Sequence, residues 1–166
     1  MKKSETIHKS VQWIAAGGLT AGAYIVLTLV SHAAGLASGP VQIRLSEALA
    51  VLPAFTPAAI PGLTIGCLCA NLITGCALPD VVFGSLATLA GAVGTRLLAR
   101  HRVLCLIPPV AANVLVLPIV LMRVYGVETA WPLLALMIFA GEAVSCGMLG
   151  YLVYGQLEKN KGRLKL

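Results

Sequence analysis

Long stretches without any Lys, Arg, Asp or Glu constrain the fold of this chain most strongly. Three of them, at residues 11–30, 60–79 and 103–122, are uncharged throughout. An apolar helix of about 20 residues is long enough to cross the hydrocarbon core of a bilayer. Of the 166 residues, 58% are hydrophobic and 11% are charged, whereas soluble domains contain about a quarter charged residues. The sequence therefore predicts an all-α integral membrane protein.

Three further apolar stretches are shorter or interrupted, and they lie at residues 45–60, 81–95 and 130–157. The first is the weakest candidate, because Glu47, Pro53 and Pro57 fall inside it. Together with Pro61 and Gly62, these prolines predict a tight cytoplasmic turn between the second and third helices. Counting all of these stretches, the sequence predicts six transmembrane helices.

The basic residues predict the orientation of these helices. Lys and Arg prefer the cytoplasmic ends of membrane spans. With six spans and a cytoplasmic N-terminus, only Arg44 and Arg123 of the 12 basic residues fall outside. The net charge of +6 is then explained by topology rather than by nucleic-acid binding. We predict one integral domain of the cell membrane over residues 1–166, with cytoplasmic tails at 1–10 and 158–166.

Four acids lie at the predicted outer ends of spans or deeper in the membrane: Glu47, Asp80, Glu128 and Glu142. This distribution gathers the polar groups in the outer half of the bilayer. It predicts a pocket that opens to the outside.

Glu142 is the acid that sequence reasoning favours as functional. It lies about twelve residues into the last helix, and so roughly 18 Å below the outer end. An acid at that depth costs something like 2.5–3.5 kcal/mol on insertion scales. It must be protonated, bound to something, or paired with a partner such as Arg44. Asn113 and Asn71, also within spans, predict either ligand contacts or hydrogen bonds between helices.

Asp80 and Glu47 also have simpler structural interpretations. Asp80 follows Pro79, which predicts that it caps the N-terminus of the fourth helix. Glu47 would complement a helix dipole in the first turn, and with Arg44 it could form a short extracellular ion pair.

Gly18 and Gly22 form a GxxxG pair in the first apolar stretch. Small residues at this spacing allow another helix to approach closely. The pattern alone leaves two alternatives open, packing within the same bundle or contact with an external partner.

No motif for catalysis, metal binding or nucleotide binding accompanies these features. The five cysteines form no CxxC pair, and HExxH, GxSxG and GxxxxGK[ST] are absent from the sequence. The cysteines are expected to behave as small hydrophobic residues. We therefore predict that the chain has no catalytic residue, metal or cofactor and that it is not an enzyme.

Several separated segments, in this order, resemble the QueT family of queuosine-precursor transporters. They are GPVQIRLSEALAVLPAFTPAAIPGLTIGCLCANL, DVVFGSLATL and GEAVSC, and the resemblance covers residues 15–154. After GEAVSC a tyrosine is expected, but this chain has Gly147.

The resemblance implies a substrate-binding S component of an energy-coupling factor (ECF) transporter. Such proteins are six-helix bundles with both termini cytoplasmic. They work with a separate module of one transmembrane scaffold subunit and two ATP-binding cassette ATPases. The first helix typically contacts the scaffold through small residues, here Gly18 and Gly22. The loop at about residues 31–44 typically caps the pocket.

The solute that the resemblance implies is a 7-deazaguanine base such as preQ1, preQ0 or queuine. A carboxylate would accept its ring N–H and exocyclic amine, and an amide or Arg44 would donate to its carbonyl. Tyr24, Phe83, Trp131 and Phe139 are available as aromatic walls. An aminomethyl form would bring a cation to Glu47, Asp80 or Glu142. The predicted contacts are Glu142, Asn113, Asn71, Arg44, Glu47, Asp80 and Tyr24, and Glu142→Gln is expected to abolish binding without unfolding the protein.

Three alternatives remain open from the sequence. One is an S component for another vitamin-like solute. Another is a small membrane enzyme that uses Glu142 as its acid or base, although no paired catalytic residue stands at a recognisable spacing. The third is an ATPase-independent, proton-coupled transporter with Glu142 as its proton site.

Overall fold

The structure, a computed structural model, describes residues 2–37 and 41–164. Residues 38–40, in the predicted capping loop, and the tail residue Lys165 lie outside this described part. The described chain is all helical and contains no strand, which confirms the predicted all-α class. Its helices are α1 (Lys2–Ala33), α2 (Leu45–Ala54), α3 (Ala59–Ile73), α4 (Leu78–Leu97), α5 (Ile107–Val124) and α6, which runs through the consecutive segments Trp131–Glu142, Ala143–Leu149 and Gly150–Leu164.

Four helical stretches of the described chain are long and apolar enough to cross a membrane. They are Ser10–Ala33, Leu78–Leu97, Leu104–Val124 and Trp131–Asn160. The third consists of α5 and the single 3₁₀ turn before it. The other two helices, α2 and α3, are apolar but shorter. Six helices are therefore present in the described residues, and four of them meet the length of a full span.

The second helix is shorter than predicted. It is a 3₁₀ helix that ends at Ala54, not an α-helix reaching residue 60. A 3₁₀ helix makes poor hydrogen bonds and rarely extends far, and Pro53 supplies no N–H in its last turn. The predicted turn is confirmed, but it contains fewer residues than expected because α3 already begins at Ala59. Pro61 then lies in the first turn of α3, where a missing N–H is tolerated.

Close packing between α1 and α3 depends on two glycines of α3. A Cβ on Gly62 would lie 2.6 Å from the carbonyl oxygen of Gly17. A Cβ on Gly66 would lie 2.9 Å from the Cβ of Tyr24. Real Cβ atoms do not approach this closely, so the two helices meet at a distance that only glycine permits. This contact places Tyr24 in the centre of the bundle.

The small residues of α4 serve the same purpose against α5. A Cβ on Gly91 would lie 2.7 Å from the Cα of Pro109, and Gly94 faces Pro108 in the same way. Small residues in α4 thus allow α5 to approach closely.

The end of the bundle opposite the cavity described below is filled by an apolar core. Buried there are Ala50, Val51, Cys105, Leu106, Cys146 and Tyr154. Cys67 is buried in a second cluster, around Tyr24 and Leu63. The buried cysteines thus pack as small hydrophobic residues, as predicted.

The turns that join α1 to α2, α3 to α4 and α5 to α6 all lie at one end of the bundle, here called the cavity end. Gly75 and Gly126 adopt φ angles of 76° and 66° in two of these turns. Glycine reaches this left-handed region without the steric cost that a Cβ brings. The tight turns bring the ends of α3 and α5 next to the beginnings of α4 and α6.

Candidate functional site

A cavity of about 470 Å³ opens at the cavity end of the bundle. This is the end predicted to face outward, and the pocket was expected there. The lining residues come from α1, the α1–α2 connection and the facing ends of α3 to α6: Thr28, His32, Ala37, Gln42, Arg44, Thr74, Cys76, Asp80, Leu121, Tyr125, Val127, Thr129, Leu134 and Met137. The wall combines apolar side chains with one carboxylate and one guanidinium.

Asp80 lines the cavity but is not a helix cap. The N-cap of α4 is Ala77, which has no capping side chain, so the capping prediction was wrong. Asp80 lies in the first turn, where its charge still complements the helix dipole. Its Oδ2 atom accepts a hydrogen bond of 2.8 Å from the hydroxyl of Tyr125.

Tyr125 is a cavity residue that sequence reasoning missed. Its hydroxyl donates to Asp80 and accepts a 3.1 Å hydrogen bond from the backbone N–H of Ala77. Desolvation, together with the hydrogen bond to Asp80 and its charge, raises the pKa of Tyr125 to about 12, so the hydroxyl remains a donor at neutral pH. A lone tyrosine after an apolar run carries no periodic signal, and only the packing of α5 beside α4 reveals its role.

Arg44 lines the same cavity from the connection between α1 and α2. Its Nη2 atom donates a 2.8 Å hydrogen bond to Oδ1 of Asn71. Its buried Nε atom has no hydrogen-bond partner among the described residues. The predicted ion pair with Glu47 is wrong, because Arg44 binds Asn71 instead. A smaller cavity of about 30 Å³ beside it is also lined by Gln42, Arg44 and Asp80.

Glu47 is buried below the cavity and binds α1. The hydroxyl of Tyr24 donates a 2.6 Å hydrogen bond to its Oε1 atom, and both side chains are buried. Glu47 does lie in the first turn of α2, as the dipole argument predicted. A buried carboxylate needs such a donor because unpaired burial is costly.

Glu142 is also buried, as its sequence position predicted. Its side chain is 5% exposed. Nδ2 of Asn113 donates a 2.7 Å hydrogen bond to Oε1, while Oε2 has no partner among the described residues. Immediately after Glu142 the helix widens into the π-helical segment Ala143–Leu149, a distortion that is frequent at functional sites. Glu142 is not among the lining residues of either cavity; Ile138, one turn earlier, lines the smaller one.

The structure divides the seven predicted contact residues into two groups. Arg44 and Asp80 line the cavity. The others form a buried polar layer of hydrogen-bonded side chains, here defined as Tyr24, Glu47, Asn71, Asn113 and Glu142. The layer is joined to the cavity wall through the hydrogen bond between Arg44 and Asn71. Direct ligand contact by the buried group stays a prediction.

The expected aromatic walls lie elsewhere. Phe83 and Phe139 are 51% and 50% exposed on the outside of the bundle, and Trp131 is 37% exposed. None of the three is among the residues that line the large cavity. Its ring-bearing side chains are Tyr125 and His32. Aromatic content alone could not predict which face of each helix turns inward.

Gly18 and Gly22 lie on a free face of α1. Both are exposed, and a Cβ at either position would meet nothing within 4 Å among the described residues. The glycine of α1 that packs inside the bundle is Gly17, against α3. Of the two alternatives for the GxxxG pair, packing within this bundle is therefore wrong for the described residues.

Comparison with known proteins relates the chain to one family. The family model described as QueT transporter matches residues 14–159. A queuosine precursor transporter QueT from Lactococcus lactis subsp. cremoris is 34% identical over 89 residues, which are 54% of this chain and 49% of that protein. The chain thus aligns with about half the length of this relative. No solved structure matches the chain significantly.

Proposed function

Because the chain belongs to the QueT transporter family, we propose that it binds a queuosine precursor for uptake into the cell. The solute is a 7-deazaguanine such as preQ1, preQ0 or queuine. The observation that carries this proposal is the cavity of about 470 Å³ with Arg44 and Asp80 in its wall. Small-molecule sites usually have volumes of about 300–1,000 Å³ and a few well-placed polar groups.

The cavity wall offers complementary chemistry to a deazaguanine. Asp80 accepts from the exocyclic amine of the base or from the ammonium of its aminomethyl form. Arg44 donates to the ring carbonyl, and Asn71 holds the guanidinium in place. The unpartnered Oε2 of Glu142, which lines neither cavity, is a further acceptor in reserve for the guanine edge. Tyr24, Glu47 and Asn113 support this arrangement from within the buried layer.

The same proposal includes the orientation in the plasma membrane. All six helices cross or enter the bilayer, both termini are cytoplasmic, and the cavity opens outward. The charge distribution supports this, because Arg96, Arg100 and Arg102 lie at the end opposite the cavity. Single cysteines at Arg100 and Glu128, in a variant without the native cysteines, should differ in labelling. An impermeant maleimide added to intact cells should modify position 128 only.

An external ATPase module supplies the energy in this proposal. The sequence contains no nucleotide-binding loop of its own. The exposed Gly18 and Gly22 face of α1 supports contact with a transmembrane scaffold that carries two ATP-binding cassette ATPases. The module and this chain form an ECF transporter, with the chain as its S component.

A ligand-binding experiment tests the proposed substrate. The purified protein is melted with preQ1, preQ0, queuine, riboflavin, biotin or thiamine. A ligand at 100 times its Kd stabilises the folded state by about 2.7 kcal/mol. We expect this shift with at least one deazaguanine and with none of the three vitamins. A shift with a vitamin and with no deazaguanine would show that the substrate is a vitamin. It would not contradict the proposal that the chain is an S component.

Substitutions at the free face of α1 test the partner. Gly18→Leu and Gly22→Leu should leave binding by the purified chain unchanged and abolish ATP-dependent uptake in cells that contain the module. Ala111→Leu, at an exposed small residue of α5, is the matched control and should keep uptake. Uptake that continues in cells without any ATPase module would instead support a proton-coupled transporter.

A further inference from the structure

Two cavity residues, Gln42 and Arg44, come from a segment without regular secondary structure. Residues 41–44 connect α1 to α2 and adopt neither helix nor strand. Such a segment has no hydrogen-bond ladder of its own and is positioned by the contacts that it makes with its surroundings. The N–H of Ile43 donates to the carbonyl of Leu36, 2.9 Å away, and the N–H of Leu45 donates to Oγ of Ser31 at 2.9 Å. Both contacts tie the segment to the end of α1.

The opposite side of this segment rests on α6 at Gly141. A Cβ on Gly141 would overlap the carbonyl oxygen of Gln42, and it would lie 3.0 Å from the carbonyl carbon. These are backbone atoms, which cannot rotate away as a flexible side chain could. Alanine is favoured over glycine in a helix by about 1 kcal/mol. Glycine at a buried helical position therefore has a steric reason here, which is the passage of the Gln42 backbone.

Ser145 provides a polar contact about one turn further along α6. Its Oγ atom accepts a 3.1 Å hydrogen bond from the backbone N–H of Arg44, and the serine is 1% exposed. Gly141 thus leaves room for the backbone of Gln42, and the hydroxyl of Ser145 binds the backbone of Arg44 two residues later. We call these two residues the α6 seat. Glu142 lies between them in sequence and bonds to Asn113 of α5.

We propose that Gly141 is a positioning residue for ligand binding, acting through the backbone of residues 42–44 to fix Arg44 in the cavity wall. Ser145 completes the α6 seat. The inference rests on the proposed function for the identity of the ligand, but its structural part does not. It relates two distant segments of the chain, residues 42–44 and residues 141–145, which meet in the fold. One supplies the cavity side chains and the other holds their backbone.

The first test needs no ligand. Hydrogen–deuterium exchange is measured on the peptide that covers residues 41–45 in the purified full-length protein. Gly141→Ala should accelerate exchange there by about tenfold or more, because the amides of Arg44 and Leu45 lose their hydroxyl partners. Gly147→Ala is the matched control. A Cβ at Gly147 has its nearest atom at 3.9 Å, so exchange should not change. Unchanged exchange in Gly141→Ala overturns the proposal, whatever the protein binds.

The second test measures affinity for the deazaguanine that binds the wild type. Gly141→Ala should weaken binding by about tenfold or more, because displacement of a contact by about 1 Å removes most of its value. The same substitution should have little further effect in an Arg44→Gln background, since it acts through Arg44. Additive losses would indicate general damage to the fold and contradict a positioning role. Failure of the wild type to bind any deazaguanine would refute the proposed function. The exchange experiment would still show whether the α6 seat holds residues 41–45 in place.

Ser145→Ala keeps the proposal testable if Gly141→Ala does not fold. It removes one hydroxyl without adding bulk, and it should both accelerate exchange at residues 41–45 and weaken binding by about threefold to tenfold. Ser85→Ala is its control, because among the described residues the Ser85 hydroxyl bonds only to the carbonyl of Val81 in its own helix, at 2.6 Å. Equal exchange and affinity in Ser145→Ala and Ser85→Ala would contradict the role of the seat.

Discussion

The cavity wall and the buried polar layer beneath it contain the same kinds of groups in different environments. In the wall, Asp80 and Arg44 face an open volume of about 470 Å³. In the layer, Glu47 and Glu142 are 3% and 5% exposed, and each accepts a hydrogen bond from a neighbouring helix. Depth in the membrane alone would identify the buried layer as the functional site. The cavity, however, is lined by the less deeply buried Asp80 and Arg44.

The difference shows that burial and accessibility are separate criteria for a binding site. A carboxylate can be deep because it joins helices, as Glu47 does with Tyr24. It can also be shallow and available, as Asp80 is through Oδ1 when Oδ2 is held by Tyr125. We therefore expect the loss of a charge in the cavity wall, as in Asp80→Asn, to lower affinity more than any substitution in the buried polar layer. The predictions below test that ordering.

Asp80→Asn should have the largest effect. Hydrogen bonds to charged groups contribute about 1.5–3 kcal/mol, so the affinity for cationic preQ1 should fall by roughly 10- to 100-fold. Neutral preQ0 should lose less, because it carries no ammonium. Isothermal titration calorimetry measures both. Glu128→Gln, at an exposed acid outside the cavity lining, is the control. Equal losses for the two bases would exclude an ion pair with Asp80.

Glu142→Gln tests whether the layer contacts the solute directly. Sequence reasoning predicts that binding is abolished. From the geometry we expect a loss of about tenfold for all bases alike, because the glutamine keeps the oxygen that Asn113 binds. Complete loss in a variant that melts like the wild type would establish direct contact. Glu158→Gln, at the opposite end of α6, should behave as wild type.

Tyr125→Phe should have a smaller effect on affinity, about threefold, because Asp80 loses its orientation but keeps its charge.

The same variant tests how stability depends on pH. Since the pKa of Tyr125 is raised from 10.0 to about 12, its bonds stabilise the fold fully below pH 10 and are lost between pH 10 and about 12. The difference in Tm between wild type and variant should be constant up to pH 10 and shrink above it. A difference that already shrinks near pH 9 would contradict the raised pKa.

Tyr24→Phe should leave affinity almost unchanged and reduce stability instead. It removes the donor to Glu47, and a buried acceptor without a partner costs about 1–3 kcal/mol of unfolding free energy. Thermal unfolding without ligand measures this loss, and Tyr151→Phe, at an exposed tyrosine, provides the comparison. A large loss of affinity without a loss of stability would show that Tyr24 contacts the ligand directly.

Much of the architecture was predictable from residues that lipid or close packing requires. The uncharged stretches predicted long helices because a bilayer offers no partner for backbone polar groups. Glycines in an apolar stretch favour close contacts between helices, and Gly91 of α4 makes one with Pro109. The 3₁₀ geometry of α2 was not predictable, because Glu47, Pro53 and Pro57 weaken a helix without specifying its hydrogen-bond pattern.

The candidate site was predictable in location but not in arrangement. The gathering of acids at one side predicted a pocket at the cavity end, and Arg44 and Asp80 do line it. Tyr125 was missed, since its position beside Asp80 depends on how α5 packs against α4. Gly141 was likewise invisible, because a glycine in an apolar helix shows no sign of the backbone that passes it.

The sequence by itself determined that the chain is an all-helical membrane protein of the QueT transporter family, with polar groups concentrated towards one side. These properties follow from composition, helix length and local motif, which are written along the chain. Only the tertiary structure decided which acid meets open space and which is held between helices. That choice depends on helix rotation and on the seating of residues 41–44 against Gly141, and both arise from contacts between segments about 100 residues apart.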